Sequence, residues 1–187
     1  MANCLFDVYY YARPGEWNCT VEVHDYSGYS DKNSNVTNME VLLALGLPAV
    51  INYGEVNATY VSDEQTANVT NFGNVQINLS LQGYAQELED GYAMNCSLGS
   101  DPFIPIYYEK FNLTAPNLGD LSLSEFEGFY ENLTTTPIIK EFNLDYRQND
   151  EENDAIEPTY WRIYVPRGVA GTCEGNIVFG AVQAPEN

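Results

Sequence analysis

An all-β sandwich is the fold that three features of this sequence predict. The first is alternation: Val75, Ile77, Leu79 and Leu81 alternate with Gln76, Asn78 and Ser80, the period of a strand with one buried face. The second is punctuation: short β-rich runs are separated by turn signals such as Pro14-Gly15 and Asn71-Phe72-Gly73-Asn74. The third is eight Asn-x-Ser/Thr sequons, at Asn18, Asn35, Asn57, Asn68, Asn78, Asn95, Asn112 and Asn132, where composition alone gives roughly two. Their middle residues are Cys19, Val36, Ala58, Val69, Leu79, Cys96, Leu113 and Leu133, apolar every time. In a strand, that places Asn and Ser/Thr on one face and a core residue on the other.

Taken in order, residues 1–36 form a short β-unit. Residues 5–10 read as a strand, Arg13-Pro14-Gly15-Glu16 as a turn, and 17–23 as a second strand with Trp17, Cys19, Val21 and Val23 on one face. A polar loop over 25–32 precedes a last strand. So few strands do not make a stable sandwich alone, and their apolar face needs a cover. Residues 37–187 then supply a larger sandwich. Its predicted strands are 41–47, 49–53, 67–71, 75–82, 93–98, 104–111, 138–144, 160–165 and 175–182. Leu123, Phe126 and Tyr130 fall at helical spacing, predicting a short helix within 122–132, with Gly128 against it. Residues 145–158 read as an acidic loop.

The bulk composition narrows the function. Seven Lys+Arg face 27 Asp+Glu, a net charge of −20. Nucleic-acid binding needs a basic footprint, which is absent, so no nucleic-acid partner is expected, and binding to anionic lipid is disfavoured for the same reason. The composition, 44% hydrophobic and 13% aromatic, argues against disorder. The longest apolar stretch, 41–51, contains Gly46 and Pro48 and is too short to span a bilayer. Asn3, Cys4 and Asp7 stand where a secretory leader would be basic and then apolar. With the sequons in use, the chain reads as a mature form, or as a fragment given an initiator Met, in an extracellular or cell-surface setting.

Cys4, Cys19, Cys96 and Cys173 are an even set, compatible with two disulfides in an oxidising compartment. Four cysteines allow three pairings. Cys4–Cys19, a local bridge, and Cys96–Cys173, a long-loop staple, are the expected ones. Buried free thiols are the alternative.

Catalytic and metal readings find little support. His24 is the single histidine, flanked by Glu22 and Asp25, and no Gly-x-Ser-x-Gly elbow occurs. Without a second His or a CxxC pair, a zinc site has no ligand set. Carboxylate pairs abound, but among 27 acids they carry no information about a glycosidase. No catalytic residue and no cofactor is expected beyond N-linked glycans. Calcium is the ion these residues suit best: Asp145, Asp150, Glu152 and Asp154, with Asn149, Glu151 and Asn153, offer hard oxygens without EF-hand spacing, and a solvated acidic loop is the competing reading. Tyr9, Tyr10, Tyr11, Tyr26, Tyr29, Tyr107 and Tyr108 suit a carbohydrate platform or ordinary cross-strand packing. Three consecutive tyrosines cannot share one strand face, so at least one of Tyr9, Tyr10 and Tyr11 belongs at an interface or beneath a glycan.

Pro14-Gly15-Glu16-Trp17-Asn18-Cys19-Thr20-Val21 resembles the start of the F strand in immunoglobulin-like and PKD-like domains. Residues 49–56 and 67–75 look like opening strands of another such sandwich, and 160–179 like its last two. The pattern is similar to secreted archaeal surface proteins and, distantly, to camelysin/TasA-type fibre subunits. The resemblance implies an Ig-like sandwich with no catalytic residues, preceded by a partial unit lacking the usual B-strand cysteine. Either the unit is the truncated tail of a longer domain, or it docks on its own larger domain, or a neighbouring copy covers it by donor-strand-like pairing. Such contacts run head-to-tail and build filaments when they do not close. The expected function is a non-enzymatic, glycosylated extracellular structural subunit. Its alternatives are a surface adhesin or carbohydrate-binding module cut from a longer protein, then a secreted glycoside hydrolase. A viral surface glycoprotein is not separable from these by sequence. Sequon-free stretches such as 160–182 are expected to hold the core or the subunit contacts.

Overall fold

The turn signals become strand ends in the computed structural model, which describes residues 7–117, 119–150 and 155–185. Pro14-Gly15 opens β1 (Gly15–His24). The Asp25 carboxylate then accepts the backbone N–H groups of Ser27 (2.8 Å) and Tyr29 (2.9 Å), turning the chain into β2 (Ser30–Met39). The two strands pair antiparallel from Gly15↔Met39 to His24↔Ser30 and form a sheet of their own. Every residue of this ribbon except Met39 is exposed, Trp17, Val21, Val23 and Val36 included. The second strand runs on to Met39, beyond the expected boundary at 36. The strand expected over 5–10 is not found: 7–10 are not strand, and 5 and 6 lie outside the described residues.

The remaining strands build a sandwich, and the fold class is all-β. One sheet orders β3 (Leu45–Gly46), β4 (Gln65–Asn71), β11 (Ile156–Ile163), β8 (Glu109–Asn112) and β9 (Glu131–Asn132). Opposite it lie β10 (Ile138–Leu144), β5 (Ile77–Tyr84) and β13 (Asn176–Gln183), and then β12 (Val169–Glu174), β6 (Tyr92–Gly99) and β7 (Phe103–Pro105). The last two strands, β12 and β13, are separated only by Gly175. They pair with β6 and β5 respectively, so one long strand crosses both three-stranded groups. No side chain fits at that junction, because a Cβ on Gly175 would lie 1.8 Å from the Ala93 carbonyl oxygen.

The core forms where the alternation predicts it. Ile77, Leu79 and Leu81 of β5 meet Val69, Phe111, Trp161 and Ile163 from the other sheet. The Trp161 ring lies 5.5 Å from both Phe111 and Phe179, which locks the two sheets together. Its indole N–H donates to Thr159 Oγ1, which in turn donates to the Ala67 carbonyl, so its one polar atom is satisfied inside the core. Helix α1 (Leu123–Phe129) caps the outer face of β8 and β11 with buried Phe126. Ser122 and Glu125 close a reciprocal capping box at its start.

Two predicted strands are lost. Over 41–47 only Leu45–Gly46 pairs, and 49–53 is irregular. Apolar content there seats individual residues, Tyr53 above all, while the backbone crosses the end of the sandwich without a partner edge. The stretch 104–111 divides into β7, a 3-10 turn (Ile106–Tyr108) and β8. Strand β12 was not expected.

Candidate functional site

Four of the sequon middle residues, Val69, Leu79, Cys96 and Leu133, are buried, and Leu113 is half-buried. Asn68 on β4 and Asn132 on β9 are exposed, with Asn95 and Asn112 half-buried. Asn57 and its neighbour Ala58 are both exposed in a turn, and on the hairpin Asn18, Cys19, Asn35 and Val36 are all exposed, because none of the described residues covers either face. Asn78 corrects the expectation. It does face away from the core, but β10 bulges over it between Lys140 and Leu144. Its amide oxygen accepts the backbone N–H groups of Phe142 (2.9 Å) and Asn143 (3.0 Å), leaving it 5% exposed. A sugar has no room there.

Cys96 and Cys173 are directly paired residues of β6 and β12, and they are bridged. The bond joins neighbouring strands of one sheet, whereas the bridge of immunoglobulin domains joins two sheets. A disulfide fits an oxidising environment. Cys19 is an exposed free thiol, and Cys4, its expected partner, lies outside the described residues.

Of the calcium candidates, Asp145 accepts from Gln76 Nε2 (2.8 Å) and Asp150 from the Tyr11 hydroxyl (2.7 Å); Glu152 and Asp154 lie outside the described residues. Among the described residues no group of three His, Cys, Asp or Glu is placed to hold a metal ion. His24 is exposed, its Nε2 3.5 Å from the Glu22 carboxylate. No described helix is long and apolar enough to cross a membrane.

Three polar arrangements missed in the sequence organise the molecule. At the foot of the hairpin, Asn74 Nδ2 donates to the carbonyls of Ala12 (3.0 Å) and Glu40 (2.9 Å), while its Oδ1 accepts from Leu42 N–H (2.7 Å). One buried amide thus holds both chain segments flanking the hairpin. On the outer face of β11, Arg162 is 1% exposed. Its guanidinium donates to the carbonyls of Ser62, Asn117 and Gly119 and to the Tyr130 hydroxyl, and Tyr130 donates to Glu64. The cation draws the loop after β8 onto the sheet. Beside it, Lys110 donates to Asn132 Oδ1 and sits 5.3 Å from the Phe126 ring; burial lowers its pKa, opposed by Glu127.

The third is Glu109, on the core face of β8 beside Phe111. It is 1% exposed, with Oε1 accepting from the Tyr53 hydroxyl and Oε2 without a partner among the described residues. Burial raises its pKa to about 7, and the Tyr53 hydrogen bond opposes that rise. Both residues line a cleft of about 250 Å³ between the 47–53 strap and the edge of β13. A carboxylate two residues before a core phenylalanine, and so on the same strand face, was the sequence signal available for this residue.

The fold and these sites define an all-β sandwich carrying a bare hairpin and one intra-sheet disulfide. No family model, curated protein or solved structure matches the chain.

Proposed function

We propose that this chain is a non-enzymatic, N-glycosylated extracellular structural subunit that polymerises head-to-tail, the hairpin of one copy lying against the next. The observation that carries the reading is the β1–β2 ribbon, which is exposed on both faces while presenting Trp17, Val21 and Val23. An isolated two-stranded ribbon is at best marginally stable in water, so a partner that covers it supplies what the monomer lacks. The other half of the contact is supported by β13. It has a neighbour, β5, on one side only, it pairs in unbroken register over eight residues, and its sequence NIVFGAVQ holds no charge, proline or sequon. Sheet edges are commonly guarded by charge, proline or bulges, and this one has none of these; the 47–53 strap flanks only its first half, across a cleft. In a chain of net charge −20, copies meet at least electrostatic cost where charge is absent. No sequon lies on β13, so glycans would leave that edge bare; on the ribbon Asn18 and Asn35 fall on opposite faces, and the face that docks is the one whose sequon carries no sugar.

Electron microscopy of the native material tests the reading, with filaments or a layer as the expected outcome. Val178→Lys places a charge on the open edge and is expected to stop polymerisation while leaving the melting temperature of the monomer unchanged. Strictly monomeric native material sinks the assembly. An unglycosylated intact mass sinks the extracellular glycoprotein.

A further inference from the structure

We propose that the cleft at the foot of the hairpin binds neutral hexopyranose glycans. It is a cavity of about 460 Å³ between the chain segment entering β1 and the loop after β10. That volume lies within the range of small-molecule sites. Its walls are the rings of Tyr9, Tyr11, Trp17 and Tyr146. Tyr9 and Tyr11 stack on one another, ring centroids 5.1 Å apart with 9° between their planes, which holds the pair as one aromatic block in the cleft wall. The Trp17 indole N–H donates to the Arg13 carbonyl (2.8 Å), so the ring is held in place although much of it is exposed. Arg13 Nε donates to the Tyr146 hydroxyl (2.8 Å), and no other hydrogen bond or ion pair engages that guanidinium among the described residues.

Pyranose rings present apolar C–H faces and a rim of hydroxyls. The faces match the electron-rich aromatic walls. The rim needs donors and acceptors together, which Arg13, Asp7 and Gln148 supply at the cleft edge. Charge argues for a neutral sugar. The chain carries −20 and Asp7 and Asp150 stand beside the rings, so an anionic saccharide meets repulsion that Arg13 and Arg147 only partly offset. The glycan can come from a second copy or from a foreign polysaccharide. The site does not depend on assembly: a monomer that binds sugar leaves it standing.

Saturation-transfer NMR on the intact glycoprotein tests this with cellotriose, chitotriose and mannotriose, and with glucuronate as the anionic probe. At least one neutral trisaccharide is expected to bind in the millimolar range or tighter, and glucuronate is not. Arg13→Ala and Trp17→Ala are each expected to weaken binding by about tenfold or more. Tyr9→Ala does the same without touching the hairpin strands, and the near-ultraviolet signal of buried Trp161 checks the fold of each variant. The proposal is overturned if no neutral trisaccharide binds, if glucuronate binds as tightly, or if all three substitutions leave binding unchanged. Where the bound trisaccharide also dissociates self-associated glycoprotein, the natural ligand is the glycan of a second copy. Where it does not, the ligand is foreign.

Discussion

The Tyr53 hydroxyl donates a 2.8 Å hydrogen bond to Oε1 of Glu109, and this bond pins the irregular strap over 47–53 to the floor of the sandwich. Its partner atom, Oε2, is buried with nothing to accept from among the described residues. The pair makes the strap the pH-sensitive edge of the molecule.

Stability should therefore fall with rising pH. Burial raises the Glu109 pKa from 4.5 to about 7 in the folded state. Below the unfolded value both states are protonated and nothing changes. Between the two values the unfolded chain releases its proton while the native state keeps it, so unfolding is favoured progressively, and the loss levels off above pH 7. The span corresponds to roughly 3 kcal/mol. Urea midpoints measured across this range should show the slope in the wild type and lack it in Glu109→Gln. An equal slope in the variant assigns the effect to another group.

Arg162 should be intolerant of truncation. Replacing it with Met leaves the carbonyls of Ser62, Asn117 and Gly119 without their donor inside the structure. A loss of about 3–5 kcal/mol is expected in chemical denaturation, the scale for removing a buried charge from its partners. Lys at this position should recover little, because one ammonium cannot reach three separate carbonyls in the geometry of a planar fork.

Alkylation should separate the cysteines. Cys19 reacts in the native protein without reductant, whereas Cys96 and Cys173 react only after reduction. Their bridge spans 77 residues, and its removal by paired Ala substitutions should cost about 4 kcal/mol by loop-entropy reasoning. Peptide mass mapping and thermal denaturation read both outcomes.

Glycan occupancy should follow exposure. Asn68 is expected to carry sugar and Asn78 to be bare, as site-resolved mass spectrometry would record. Asn78→Ala leaves the N–H groups of Phe142 and Asn143 without their acceptor under the β10 bulge, and should destabilise by about 1–3 kcal/mol. A modified Asn78 in folded protein contradicts the packing of β10 over β5.

Much of the fold was legible because its signals are local. Alternation over 75–81 requires only that one face of a strand be buried, and β5 follows. The capping-box pair Ser122 and Glu125 lie three residues apart, and α1 starts where they meet. Segments 49–53 and 41–47 are apolar enough to predict strands, but apolar content does not by itself bring pairing. Pairing needs a free neighbouring edge, and only Leu45–Gly46 finds one, on β4. Glu109, Asn74 and Arg162 were not legible as sites, since each acts on segments at least 32 residues away.

By itself, then, the sequence determined the β-class, the outward direction of most sequon asparagines and the short helix. These rest on the two-residue period of strands and on contacts within a few residues. Only the tertiary structure decided that Asn78 is covered, that Cys96 and Cys173 are cross-strand neighbours, and that the hairpin stands clear of the sandwich. Those outcomes depend on which strands lie side by side, and strand neighbours are chosen by packing across the whole core rather than by the residues of either strand alone.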